Sequence, residues 1–281
     1  MVLALLRHEL RLFFLALQFF TRIPVPAWVG YDPAWMHASA RHYPLVGLVV
    51  GGWGAVVLLL AGQMLPMSVA VLLSMAATAW LTGGFHEDGL ADTCDGLGGS
   101  VSRERALTIM KDSRLGSYGA LGLFFVLGLK AVTLSELAAW DALETAAVIL
   151  WSHVASRALP VVLLWRLPYA GDPEHAKAKP MAQQISGRGL GFVLATVLLA
   201  AAALHTLLGQ ALPLATSGLA LAAMGRWCAR WYRQRLGGYT GDTLGASQQL
   251  GELAIYLAWL ATVALLQDPA GDPAALDEAP V

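Results

Sequence analysis

Charge is what this sequence has least of. Asp, Glu, Lys and Arg make up 13% of the 281 residues, against roughly 25% in an average soluble domain. A soluble chain of this size needs more polar surface to stay dispersed, so lipid contact is expected in its place. Neither sign of charge is in excess. The formal net charge of −1 removes the basic surface that a nucleic-acid partner demands. Cysteine is almost absent: Cys94 and Cys228 lie far apart, with no metal-ligand or redox spacing, which excludes a disulfide framework. Internal repeats and low-complexity tracts are lacking as well. The N-terminus has no clean signal peptide, because Arg7, Glu9 and Arg11 interrupt its apolar stretch and no small-residue cleavage site follows. The run 12–20 falls short of the ~20 residues that cross a bilayer. Residues 3–20 therefore read as an amphipathic helix lying at the interface, ended by Pro24 and Pro26.

What the chain has is hydrophobicity, 57% of residues with a mean hydropathy of +0.59. Seven segments are apolar enough to cross: 44–63, 65–84, 118–137, 143–165, 189–208, 211–226 and 250–267, the sixth being the shortest. Ten Trp and seven Tyr suit an interfacial aromatic belt. The expected fold is an all-α, polytopic integral membrane bundle of about seven transmembrane helices plus the interfacial helix. It forms one catalytic domain over 1–281, with 1–42 as an N-terminal segment and 268–281 as a polar acidic tail.

The basic residues give this bundle a direction. Of the 18 Lys and Arg, all but Lys130 and Arg157 fall before the first span or in the loops after spans two, four and six. The opposite side carries Asp141 and the tail acids Asp268, Asp272, Asp277 and Glu278. By the positive-inside rule the N-terminus and the three long loops are cytoplasmic and the C-terminus is outside.

The second span runs into Leu81-Thr-Gly-Gly-Phe-His-Glu-Asp-Gly-Leu-Ala-Asp-Thr-Cys-Asp-Gly96. Asp88, Asp92 and Asp95 recur at i, i+4 and i+7, on one face of a helix. Clustered carboxylates repel unless a cation joins them, and hard oxygen donors suit Mg²⁺ or Mn²⁺ bridging to substrate phosphates. The plain alternative is a solvated acidic loop with an Asp as helix cap. Glu87 points off that face, and His86 reads as a structural or substrate contact. Lys111 and Arg114, beside Asp112, could neutralise phosphate oxygens or serve only as topology charges. A second Gly-rich loop, Gly237-Gly-Tyr-Thr-Gly-Asp-Thr-Leu-Gly245, contains Thr240, Asp242 and Thr243, and Glu252 follows near the membrane edge. It lacks the Lys of a P-loop and the strand that precedes one. Lys130 in span three, and His153 and Arg157 one turn apart in span four, are costly in lipid and so functional candidates.

These residues carry a resemblance to a known family. Phe20-Thr-Arg-Ile-Pro-Val-Pro26, Tyr43-Pro-Leu-Val-Gly47, Gly83-Gly-Phe-His86, Asp88-Gly-Leu-Ala-Asp-Thr-Cys-Asp-Gly96, Ile109-Met-Lys-Asp-Ser-Arg-Leu-Gly116 and Thr240-Gly-Asp-Thr-Leu-Gly-Ala246 appear in one order along nearly the whole chain. In these the sequence resembles the cobalamin synthases (CobS, the adenosylcobinamide-GDP ribazoletransferases). Glu87, the tail after residue 267 and the stretch 168–188 lie outside the pattern.

The resemblance implies a Mg²⁺-dependent phosphoryl transfer at the cell inner membrane. A hydroxyl of α-ribazole, or of its 5′-phosphate, attacks the cobinamide-side phosphorus of adenosylcobinamide-GDP, and GMP leaves. It implies Asp88, Asp92 and Asp95 as metal ligands, and Asp112 or Asp242 as general base. Lys111 and Arg114 would contact phosphate, with Thr240, Thr243 and His86 as further substrate contacts. Lys130, His153 and Arg157 would line a polar cavity under the site. Expected partners are the two small-molecule substrates and the lipid bilayer, with an oligomer or a complex with other nucleotide-loop assembly enzymes. A partial likeness to the CDP-alcohol phosphotransferases rests on Asp92-x₂-Asp95-Gly96 and lacks the rest of that motif. A transporter is disfavoured, because transport sites lie near the midplane of repeated halves and this acidic cluster lies at a rim.

Overall fold

The computed structural model describes residues 2–99, 102–171, 182 and 184–267. The acidic tail 268–281, with Lys177 and Lys179, lies outside the described residues. Among the described residues the chain is all-α, with one isolated parallel bridge between Tyr169 and Tyr239. In chain order the helices are α1 Val2–Phe20, α2 Pro33–Ser39, α3 Tyr43–Ala61, α4 Met67–Thr82, α5 Phe85–Gly98, α6 Arg103–Met110 and α7 Ser117–Trp140. There follow α8 Ala142–Ser156, α9 Ala158–Arg166, α10 Gly187–Leu208, α11 Ala211–Leu236 and α12 Gly241–Gln267.

Long-range hydrogen bonds define two ends of the bundle. At one end the Arg103 guanidinium donates from Nε to the Leu236 carbonyl at 2.7 Å and from Nη2 to the Ala170 carbonyl at 3.1 Å. Arg235 donates to the Gly99 carbonyl, and the Arg22 amide donates to the Leu81 carbonyl at 2.9 Å. At the other end the Trp259 indole donates to Glu144 Oε1 at 2.9 Å, and Gln210 donates to Glu144 Oε2 at 3.3 Å. The seven expected spans fall on α3, α4, α7, α8 with α9, α10, α11 and α12. Arg22, Arg103 and Arg235 thus mark the first end, which is called the basic face below.

Fewer helices meet the demands of a membrane span. Among the described residues five are long and apolar enough: Pro33–Ala61, Ser117–Trp140, Ala142–Arg166, Gly187–Leu208 and Gly241–Gln267. This corrects the expectation of seven apolar spans at 65–84 and 211–226. The first becomes α4, only 16 residues, bent by 89° into α5, so that the pair counts at most as one broken span. The second is extended into α11, whose 26 residues are ample in length but end in a polar turn rich in Arg226, Arg230, Arg233 and Arg235. The multi-pass membrane bundle stands on the five.

The N-terminal helix follows its amphipathic pattern. Leu12, Leu15, Ala16, Leu17 and Phe20 are buried, while Leu3, Leu5, Leu6 and Leu10 are exposed. Glu9 ties α1 to the start of α3 through Arg41 at 2.5 Å and His42 at 3.2 Å.

Candidate active site

The acidic motif is a helix set at a right angle to the one before it. Gly83 and Gly84 both adopt positive φ, +69° and +70°, which side chains disfavour and glycine accepts. The Gly84 amide closes α4 onto the Ala79 carbonyl at 2.8 Å, while the Asp88 amide starts α5 from the Gly84 carbonyl at 2.8 Å. Glu87 and Asp88 occupy the first turn of α5, where the helix dipole favours negative charge. Phe20 fixes the same turn from outside, stacking on His86 at 5.4 Å between centroids with an interplanar angle of 13°. His86 is buried and lines the cavity beneath α5.

The three aspartates of α5 do not share one task. Asp88 is exposed, and Asp92 and Asp95 are half-buried. Asp95 accepts the Gly116 amide on Oδ2 and the Gly119 amide on Oδ1, both at 2.8 Å. It is therefore a cap for α7, supplied by another helix to amides that have no partner within their own first turn. Among the described residues no three His, Cys, Asp or Glu side chains stand together as a metal site. The three-carboxylate set read from spacing is thus not assembled, because seven residues of helix separate its ends by about 10 Å. Asp88 and Asp92 remain facing the same side of α5.

The second Gly-rich loop meets that helix directly. A Cβ on Gly89 would lie 2.8 Å from the Asp242 carbonyl oxygen and 3.3 Å from the Gly245 Cα, so α5 and the start of α12 touch backbone to backbone. The contact brings the backbone of Asp242 against α5, one residue along from Asp88. Thr240 and Thr243 are spent on folding: the Thr240 amide donates to Thr243 Oγ1 at 2.8 Å, and the Thr243 amide donates to Thr240 Oγ1 at 3.3 Å. This reciprocal cap fixes both hydroxyls at the helix start.

Lys111 ends α6 and is exposed. Arg114 donates from Nη2 to Asp112 Oδ2 at 2.5 Å and from Nε to Oδ1 at 2.9 Å. These bonds hold the Asp112 carboxyl down at about 2.

Below α5 the bundle contains a charged network that the sequence only half disclosed. Lys130, His153 and Arg157 all line one cavity of about 160 Å³. They converge on Glu252 of α12, which is 1% exposed. Lys130 Nζ lies 2.5 Å from Glu252 Oε2, His153 Nδ1 2.8 Å from Oε1, and Arg157 Nη1 3.6 Å from Oε1. Gln248 also donates to Glu252 and reaches Ser156 Oγ at 3.1 Å. Gln249 accepts from Lys130 Nζ at 2.9 Å and donates to Glu87 Oε1 at 3.1 Å. Buried charges persist in an apolar bundle only when paired in this way. Sequence reasoning set Glu87 aside and gave Gln248 and Gln249 no role. Their signal was the run Gln248-Gln249-x-x-Glu252, polar side chains on one face at the head of an apolar helix.

Comparison with known proteins gives this geometry a family. The profile of the family described as cobalamin-5-phosphate synthase matches residues 12–260. A protein of Leptothrix cholodnii called adenosylcobinamide-GDP ribazoletransferase is 70% identical over 260 residues, 92% of this chain and 98% of its own. Proteins of the same description from Polaromonas naphthalenivorans and Shewanella amazonensis are 46% and 44% identical, over 91% and 90% of this chain and 98% and 96% of their own. No solved structure matches. The chain belongs to the cobalamin-5-phosphate synthase family.

Proposed function

We propose that the chain is an adenosylcobinamide-GDP ribazoletransferase of the cell inner membrane, with its N-terminus and basic face in the cytoplasm and its C-terminus outside. Relatives that bear this activity in their names match about nine-tenths of the chain. The observation that carries the reading is the backbone contact of Gly89 with Asp242. It joins two motifs far apart in sequence at the basic face, directly over a polar cavity.

The reaction is a displacement at phosphorus. A hydroxyl oxygen of α-ribazole, or of its 5′-phosphate, forms a bond to the cobinamide-side phosphorus. The bond from that phosphorus to the bridging oxygen breaks, and GMP departs with the electron pair. The hydroxyl proton passes to a carboxylate. Asp112 is already engaged through both carboxylate oxygens by the Arg114 guanidinium. Asp242, in the first turn of α12, is therefore assigned as the base. Lys111 and Arg114 offset charge on the departing phosphate.

Aspartates facing a diphosphate repel it unless a cation intervenes. Mg²⁺ commonly takes one or two carboxylates, with the remaining positions filled by substrate phosphates and water. Asp88 and Asp92, one helical turn apart on the same side of α5, match that demand for one or two carboxylates, and these two residues would hold it. Mg²⁺ there would supply neutralisation of the charge that develops on the phosphoryl oxygens.

The test uses the purified chain in nanodiscs with adenosylcobinamide-GDP, α-ribazole and Mg²⁺. GMP and cobalamin should appear together, stop on chelation and return with added Mg²⁺. GMP release that ignores α-ribazole would overturn the assignment.

A further inference from the structure

The cavity under α5 has a size and a wall that select its occupant. About 160 Å³ is close to the ~150 Å³ apolar cavity that accepts a single benzene ring. A corrinoid or a whole nucleoside is far larger, so only a single flat base can enter. Val50, Leu134 and Ile149 form part of its wall and are essentially buried, so one side offers packing and no hydrogen bonds. Two other lining residues each keep one buried polar atom with no hydrogen-bond partner among the described residues, Nε of Arg157 and Oε2 of Glu87. Arg157 is itself only 2% exposed. One is a donor and the other an acceptor, and a buried group left unpaired costs about 1–3 kcal/mol.

Resting on the ribazoletransferase reading, we infer that this cavity receives the benzimidazole ring of the acceptor nucleoside, with its ribose directed toward α5. The ring is flat, apolar over most of its surface, and has one free ring nitrogen to accept the Arg157 Nε–H. A ribose hydroxyl can donate to Glu87, which directly precedes Asp88 on α5. Guanine fits the same wall badly. It presents several donors and acceptors at its edge, and most of them would be buried without partners against Val50, Leu134 and Ile149. The cavity therefore separates the acceptor base from guanine by polarity. It also gives Glu87 a duty: tied to Gln249 by one oxygen, it turns the other to the substrate.

The test uses the full chain in nanodiscs and dimethylbenzimidazole as the probe, measured by equilibrium dialysis. Steady-state kinetics are run alongside, varying α-ribazole and adenosylcobinamide-GDP separately. Ala79→Leu adds bulk to the cavity wall without altering any member of the ion network. Arg157→Lys keeps the charge and withdraws the Nε–H. Wild type should bind the base, and the base should compete with α-ribazole. Ala79→Leu should weaken base binding and raise the KM for α-ribazole by about tenfold or more, leaving the KM for adenosylcobinamide-GDP unchanged. Arg157→Lys should move the same two quantities in the same direction. Base binding that is undetectable in wild type, or equal in wild type and Ala79→Leu, overturns the proposal and makes the cavity a solvent chamber. The two readings fail separately. Base binding lost in Ala79→Leu, with no GMP formed by wild type, sinks the transferase assignment and keeps the pocket. Cobalamin formation with an unmoved α-ribazole KM in Ala79→Leu does the reverse.

Discussion

Asp92 and Asp95 stand three residues apart on α5 and should respond differently to substitution. Asp92→Asn keeps shape and removes charge from the face opposite the substrate phosphates. GMP release should drop by roughly a thousandfold or more, with membrane insertion unchanged. Asp95→Ala strips the cap from Gly116 and Gly119. It should lower stability by about 1–2 kcal/mol, read as a lower Tm in detergent, and reduce turnover only as far as α7 frays. Identical unfolding curves for the two variants would return Asp95 to the metal site. Asp112 offers a pH test. Its carboxyl lies at about 2, below the ~3.9 of a free aspartate. Its attraction to Arg114 is thus complete above about pH 4 and fades as pH falls toward 2. Asp112→Asn should leave the acid limb of kcat/KM in place, whereas a limb that vanishes in this variant would transfer the base role from Asp242. Among single residues, Lys130, His153 and Arg157 were legible because a charge inside an apolar run stands out by itself. Glu87 was not. Helical spacing placed it off the aspartate face, correctly, but could not say that the face it does share meets Gln249 and a cavity.

At the scale of elements, the decisive feature is the bend between α4 and α5. Sequence periodicity runs smoothly through 65–84, and an apolar run does not announce that Gly83 and Gly84 will both turn left-handed. That choice depends on Arg22 and Phe20, which hold the end of α4 and the start of α5 from the N-terminal segment. The result is a short helix laid across the bundle, free to touch α12 through Gly89. Gly89→Ala is the corresponding probe. Its Cβ would sit 2.8 Å from the Asp242 carbonyl oxygen, so α5 must withdraw or α12 must shift. Such overpacking costs about 1–3 kcal/mol. Turnover should fall by at least about tenfold, since the acids on α5 and Asp242 part company. Normal GMP release from this variant would mean that the contact has no part in the chemistry.

For the whole molecule, charge distribution is the property of the sequence that bears on sidedness, because each loop reports independently of the others. Among the described residues Arg103, Arg235 and the Tyr169 to Tyr239 bridge tie the loop ends after α5, α9 and α11 together. An odd number of passes then predicts termini on opposite sides. A phosphatase reporter after Val281 should be active outside, and one inserted within 97–112 should be silent; the opposite pattern would overturn the seven-pass path. What the sequence could not convey was which passes are lipid-like, since α4 is cut short by its turn and α11 ends among arginines. The buried network around Glu252 has one more consequence, and it concerns time. The ribosome delivers Lys130, His153 and Arg157 well before Glu252, the only carboxylate that these three meet in the described ion pairs. Until the last helix is threaded in, two cations wait inside a nascent bundle without their counter-ion, an unstable half-built state. The final helix therefore acts as a completion check during biogenesis. A chain stopped before residue 241 should be cleared rapidly by membrane proteases in a pulse-chase experiment, and Lys130→Met combined with Arg157→Leu should lengthen its life.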